Sequence, residues 1–190
     1  MSSTFERREM IALYFLLIVA ADFIAANWMV PILPGIMAPA GSLLVGPILT
    51  VRDQIHDRHG VKGVIPVILA ASAISWLVGG WINQGLLQSI SIASAIAFIG
   101  SELIADTGVY AGLHKSKWFV RVSLSNLASA PIDSILFIGL AFGVFVGASF
   151  WSGWQFMIGQ TIAKLVSGLV WTVMIMGVTS WKKRYGYTSA

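Results

Sequence analysis

Apolar residues fall in six long runs along the chain, and these runs predict six membrane-spanning helices. An α-helix rises about 1.5 Å per residue, so about 20 apolar residues cross a hydrocarbon core of about 30 Å. The second run is interrupted by Pro39, Gly41, Gly46 and Pro47, and we predict it as a broken span. The predicted helices cover approximately residues 10–30, 38–55, 64–82, 88–113, 122–147 and 155–180.

The composition supports a membrane protein. Hydrophobic residues make up 57% of the chain and charged residues 11%, and the mean hydropathy is +0.82. A soluble domain has about a quarter of its residues charged, so these values exclude most soluble enzymes and a disordered chain. We predict an all-α integral membrane protein in which residues 1–190 form a single six-helix transmembrane domain. Cysteine is absent, which excludes disulfides, thiolate nucleophiles and iron–sulfur clusters.

The basic residues predict the orientation of the chain. Eleven of the 12 Lys and Arg residues lie before the first run, after the last, or in alternate connections, whereas the connections near 31–37, 83–89 and 148–154 contain none. Lys and Arg concentrate in cytoplasmic loops, so we predict that both termini are cytoplasmic and that the protein lies in the cell inner membrane. These residues are Arg7, Arg8, Arg52, Arg58, Lys62, Lys115, Lys117, Arg121, Lys182, Lys183 and Arg184.

The net charge of +4 therefore reflects cytoplasmic loops, and we predict no nucleic-acid partner. The expected partners are the lipid bilayer and a small-molecule substrate. Faces of small residues, such as Ala21 with Ala25, permit a homodimer without requiring one.

Ionisable residues inside the apolar runs are the candidate functional residues. Each costs at least a few kcal/mol to insert, so such residues usually face a protein interior or an aqueous cavity. Glu102 and Asp106 are four residues apart and share one face of the fourth helix. Asn126 and Asp133 are seven apart and share a face of the fifth. For Asp106, as for Asp22 in the first run, simple pairing with another charge or extension of the side chain to the membrane interface remains an equal alternative.

The sixth helix carries a third polar stripe. Lys164, Ser167, Gly168 and Trp171 follow one another at helical spacing on one face. The simplest packing turns the three stripes toward each other and forms a pocket inside the bundle. The broken second helix frees backbone groups, which is tolerated only where they line protein or a cavity. Asp53 continues that helix toward the cytoplasm, either in the pocket or as part of a solvated helix end.

Other chemistry lacks its sequence signatures. Asp53, His56, Asp57 and His59 match no zinc-binding spacing. The chain has no Walker A motif, no G-x-S-x-G and no H-E-x-x-H. We therefore predict a protein that is not an enzyme, with no metal site and no cofactor.

Four stretches of the chain are similar to the queuosine precursor transporter family, also called the VUT family. The most specific runs from Ser101 through Asp106 and continues with polar residues of the fifth helix. The matching positions are residues 26–30, 40–42, 47–49, 53–60, 101–106, Tyr110, Arg121, 125–126, 133–134, Phe137, 141–142 and Lys164.

The resemblance implies import of 7-cyano-7-deazaguanine. It also implies a six-helix arrangement like the substrate-binding subunits of energy-coupling-factor transporters, but working without their ATPase module. Glu102 or Asp133 would accept from the guanine-like edge of the ligand, and an amide or ammonium would donate to its carbonyl. Phe98, Tyr110 or Trp171 would stack on its rings. The predicted substrate-binding residues are Asn27, Asp53, Glu102, Asp106, Asn126, Asp133 and Lys164.

Three alternatives remain open from the sequence. The substrate could be a different vitamin or nucleobase. The chain could be a binding subunit that moves its ligand only when docked to a separate ATPase. It could also be a non-transporting membrane protein whose buried charges fix helix register. For a transporter, both proton coupling and facilitated diffusion are compatible with the buried acids.

Overall fold

The computed structural model describes residues 2–59, 61–105, 118–144, 147 and 153–184. This part of the chain is mostly helical, which confirms the all-α class. The α-helices, named in chain order, are α1 Ser2–Asn27, α2 Val45–His59, α3 Val61–Trp81, α4 Gly85–Ala105, α5 Trp118–Ile138 and α6 Trp154–Arg184. A 3₁₀ segment, Ala40–Leu44, precedes α2, and a π-helical segment, Gly139–Val144, extends α5.

A β-hairpin follows α1, where the sequence predicted only the end of a helix and a connection. Helix α1 ends at Asn27, and antiparallel strands β1 (Met29–Leu33) and β2 (Ile36–Pro39) follow it. Pro31 and Pro34 cannot continue a helix, because proline lacks the N–H that a helix interior requires. Gly35 takes a positive φ of 74° in the turn. The boundary predicted for the first helix was thus three residues too long.

Four helices are long and apolar enough to cross a membrane, which makes the chain a multi-pass membrane protein. Shorter apolar helical stretches cover 40–52 and 85–101. The broken second span and the fourth predicted span correspond to these two stretches, so six spans with cytoplasmic termini stay a prediction. The four spans lie within α1, α3, α5 with its π-helical extension, and α6.

The helices form a closed bundle. In the described part, α2, α3, α4, α5 and α6 each contact the next, and α6 returns to contact α2. Helix α1 packs against α2, α3 and α4, while β2 packs against α6. One hydrophobic cluster joins α1, α2 and α3 around Ile18, Ile48 and Ile68. A second joins α1, α4, α5 and α6 around Ile90 and Phe137.

Candidate binding pocket

A pocket lies inside the bundle where the two hydrophobic clusters adjoin. Its walls come from α1, β2, the 3₁₀ segment, α2, α4, α5 and α6. The aromatic rings of Phe98 and Phe137 and the backbone of Gly41 form part of the apolar wall. The polar side chains in the wall are Asp22, Ser42, Ser94, Asp133, Gln160 and Lys164.

An ion pair joins two helices in this pocket. The Lys164 ammonium of α6 donates to the Asp133 carboxylate of α5. Asp133 is 5% exposed and Lys164 is 3% exposed. The same ammonium lies 5.8 Å from the centre of the Phe137 ring, within range of a cation–π interaction. An ammonium carries three hydrogens, and Asp133 is its one acceptor among the described residues.

Asp22 is the second carboxyl group in the pocket. Its side chain is 2% exposed, and the hydroxyls of Ser75 and Ser94 lie beside it. Its Oδ2 atom has no hydrogen-bond partner among the described residues. A buried carboxyl oxygen without a partner is energetically costly, because desolvation is not compensated by a hydrogen bond.

Two neutral polar groups in the pocket also lack partners in the described part of the chain. These atoms are the Oγ of Ser42 and the Oε1 of Gln160. Both side chains are 3% exposed and line the same pocket as Asp22. Buried polar atoms are nearly always hydrogen-bonded in folded proteins. Three such atoms around one cavity therefore indicate a place for a polar ligand or for water.

The break before α2 is stabilised by a side chain of α6. The Ser167 hydroxyl accepts from the Gly46 N–H at 3.0 Å and donates to the Leu43 carbonyl at 2.6 Å. These backbone groups flank the change from 3₁₀ to α-helix, where regular helical bonding is interrupted. Of the two surroundings predicted for the freed groups of helix 2, protein or a cavity, these two groups face protein.

A close approach of backbones sets the pocket wall on the α1 side. A Cβ atom on Gly41 would overlap the Ala21 carbonyl and lie 2.9 Å from the Cβ of Ala25. Only glycine permits this contact, and small residues on α1 allow it from the other side. The contact brings the 3₁₀ segment, and with it Ser42, against the helix that carries Asp22.

The cavity among these side chains has a volume of about 30 Å³. Such a space holds one or two water molecules. A ligand with two fused rings therefore enters only when side chains or helices move apart. The pocket walls are therefore in a closed conformation.

The structure brings together two of the predicted binding residues, Asp133 and Lys164. Asn27 lies elsewhere: its amide donates to the Phe23 carbonyl at 2.7 Å and accepts from Gln84 at 3.0 Å, tying the end of α1 to the α3–α4 connection. Asp53, Glu102 and Asn126 lie in α2, α4 and α5, and their side chains are outside the description. Asp106 lies outside the described residues altogether.

Of the three aromatic residues predicted to stack on the ligand, one lines the pocket. Phe98 lines the pocket, whereas Trp171 is half-buried on α6 away from the pocket wall. Tyr110 lies outside the described residues. Phe137, which the sequence singled out only through the family resemblance, lines the pocket beside Lys164.

Four polar wall residues were absent from the predicted binding set: Asp22, Ser42, Ser94 and Gln160. Gln160 precedes Lys164 by four residues, so it extends the polar stripe of α6 by one turn. That spacing was the available signal. Among the described residues, no group of three or more His, Asp or Glu side chains could hold a metal ion.

A polar pocket enclosed by membrane-spanning helices is the arrangement found in small-molecule transporters. Comparison with family models gives a match over residues 83–178, about half of the chain, to the family described as Putative vitamin uptake transporter. The chain therefore belongs to this family of membrane transporters. Comparisons with curated proteins and with solved structures give no match.

Proposed function

We propose that this protein imports a purine-like queuosine precursor, 7-cyano-7-deazaguanine or a related 7-deazaguanine, across the cell inner membrane by alternating access. The observation that carries the proposal is the buried pocket in which a carboxyl, an amide, an ammonium and two phenyl rings converge from different helices. Family membership supports uptake of a vitamin-like compound, and the pocket chemistry supports the finer choice.

The ligand and the pocket have complementary hydrogen-bonding groups. A 7-deazaguanine presents a ring N–H and an exocyclic amine on one edge, with a carbonyl beside them. A carboxylate accepts two parallel N–H donors, while an ammonium or amide donates to a carbonyl. The flat apolar faces of the ligand match the rings of Phe98 and Phe137.

Alternating access would require the closed pocket to open on each side of the membrane in turn. The β-hairpin contributes to the pocket wall, since Pro39 of β2 lines the pocket and β2 packs against α6. Separation of the hairpin from α6 would widen the pocket without breaking a membrane-spanning helix. In this proposal the protein acts without an ATPase module.

The direct test is uptake by purified protein in liposomes that contain no other protein. We expect 7-cyano-7-deazaguanine to accumulate inside, and unlabelled compound to compete with it. Biotin and folate serve as control compounds. Absence of both uptake and a ligand-induced rise in melting temperature, across a panel of deazaguanines, would contradict the proposal.

The same experiment separates three alternatives that are compatible with the family: a binding subunit, a different substrate, and transport without proton coupling. Binding without uptake would favour a substrate-binding subunit that needs a partner ATPase. A melting-temperature shift with another vitamin or nucleobase alone would favour that substrate. An initial uptake rate that survives collapse of the pH gradient would exclude proton coupling.

A further inference from the structure

We propose that Asp22 is the group that recognises the donor edge of the substrate, and that the protein thereby selects heterocycles with an exocyclic amine next to a ring N–H. The inference deepens the proposed function and rests on it. It assigns substrate selectivity to a residue outside the predicted binding set.

The two carboxyl groups in the pocket differ in whether a cation already neutralises them. Asp133 already accepts from the Lys164 ammonium, which neutralises its charge. Asp22 has an unpartnered Oδ2 and no ion pair with another described residue. Two N–H donors of a ligand would therefore offset the lost hydration of Asp22 more than that of Asp133, which already has a partner.

The other polar atoms of the pocket that lack partners among the described residues also accept hydrogen bonds. Ser42 Oγ and Gln160 Oε1 line the same cavity as Asp22 Oδ2. All three atoms accept hydrogen bonds, and only the Ser42 hydroxyl also donates. The polar atoms that lack a partner in this pocket are thus mainly hydrogen-bond acceptors. A ligand edge rich in N–H donors would satisfy them.

The ligand carbonyl beside that edge needs a hydrogen-bond donor, and α6 supplies one. Lys164 has ammonium hydrogens beyond the one given to Asp133, and it lies in the same wall as Gln160, one helical turn away. A carbonyl directed toward α6 would therefore meet a donor while the amine and ring N–H meet Asp22 on α1. Asp22 would thus accept from the N–H donors of the ligand edge, and Lys164 would donate to the carbonyl beside them.

The test is a cycle of two proteins and two ligands, measured by equilibrium binding to purified protein. The ligands are 7-cyano-7-deazaguanine and the same molecule without its exocyclic amine. Because leaving a buried acceptor without its hydrogen bond costs about 1–3 kcal/mol, which is about fivefold to a hundredfold in affinity, we expect the wild type to prefer the amine-bearing ligand at least about fivefold. Asp22→Asn should reduce that preference below about threefold, since one acceptor oxygen becomes a donor.

Ser72→Ala is the matched control, because the Ser72 hydroxyl of α3 is buried, has no partner in the described ranges and does not line the pocket. It should retain the preference. Ser94→Ala is a milder second variant if Asp22→Asn does not fold. Ser94 lies beside Asp22, so its loss should weaken binding of the amine-bearing ligand more than binding of its analogue.

Each other outcome overturns the inference. Equal binding of both ligands by the wild type would remove the donor-edge selectivity while leaving deazaguanine binding intact. A preference that persists in both Asp22→Asn and Ser94→Ala would assign recognition to another group. Binding of neither ligand by the wild type would remove the proposed function itself.

Discussion

At the residue scale, the Asp133–Lys164 pair explains how opposite charges persist inside an apolar bundle. Each buried ion loses its hydration, and the mutual attraction offsets that cost only while both partners are present. The pair also links α5 to α6 at the pocket wall. It leaves the pocket with a cationic donor whose charge is balanced.

Removing one charge of this ion pair should destabilise the protein more than removing both. Lys164→Met leaves Asp133 buried without its partner, and we expect a loss of about 3–5 kcal/mol in the free energy of unfolding. The double variant Lys164→Met with Asp133→Leu removes both charges and should recover most of that loss. Reversible unfolding in mixed micelles measures both values. Equal destabilisation of the single and double variants would contradict this account.

The two ionic residues could be found from the sequence because charges stand out in an apolar run. Their mutual pairing could not, because helical spacing defines the faces of one helix and not which faces meet. Ser42 was missed because a single hydroxyl changes the hydropathy of a span little, and Gln160 was missed although it lies one helical turn before Lys164. Asp22 was noticed, but its unpartnered oxygen depends on the packing of α1 against α3 and α4.

At the element scale, the second helix depends on a contact with α6. Ser167 substitutes for the regular hydrogen bonding that is interrupted between the 3₁₀ segment and α2. The break itself could be predicted from Gly and Pro in a short apolar run. The β-hairpin could not, because a short segment rich in Pro and Gly between two helices is equally typical of an irregular loop.

Removal of the Ser167 hydroxyl should weaken this junction. Ser167→Ala leaves the Gly46 N–H and the Leu43 carbonyl without their partner, so we expect a loss of about 1–3 kcal/mol in the free energy of unfolding. Ser89→Ala is the control: the Ser89 hydroxyl donates an exposed hydrogen bond to the Gly85 carbonyl of its own helix, and such surface changes usually fall within about 0.5 kcal/mol. Indistinguishable stabilities of the two variants would show that the junction needs no side-chain partner.

At the scale of the whole molecule, the pocket depends on elements that are distant in sequence. Helix α1 belongs to both hydrophobic clusters, so it positions Asp22 against walls built from α4, α5 and α6. The sequence predicted an interior pocket because polar stripes on separate helices must avoid lipid. It could not predict the closed state, since cavity volume depends on close contacts such as that of Gly41 with α1.

Substrate protection of a thiol in the pocket is the most direct test that the substrate binds between these helices. The chain contains no cysteine, so Ser42→Cys introduces a single reporter in the pocket wall, and Lys62→Cys provides an exposed control outside it. With 7-cyano-7-deazaguanine at about ten times its Kd, roughly a tenth of the sites remain free. The account predicts that labelling of Ser42→Cys by a small maleimide slows about tenfold, while labelling of Lys62→Cys is unchanged. Transport of the compound with no slowing at Ser42→Cys would place its binding site elsewhere and contradict the account.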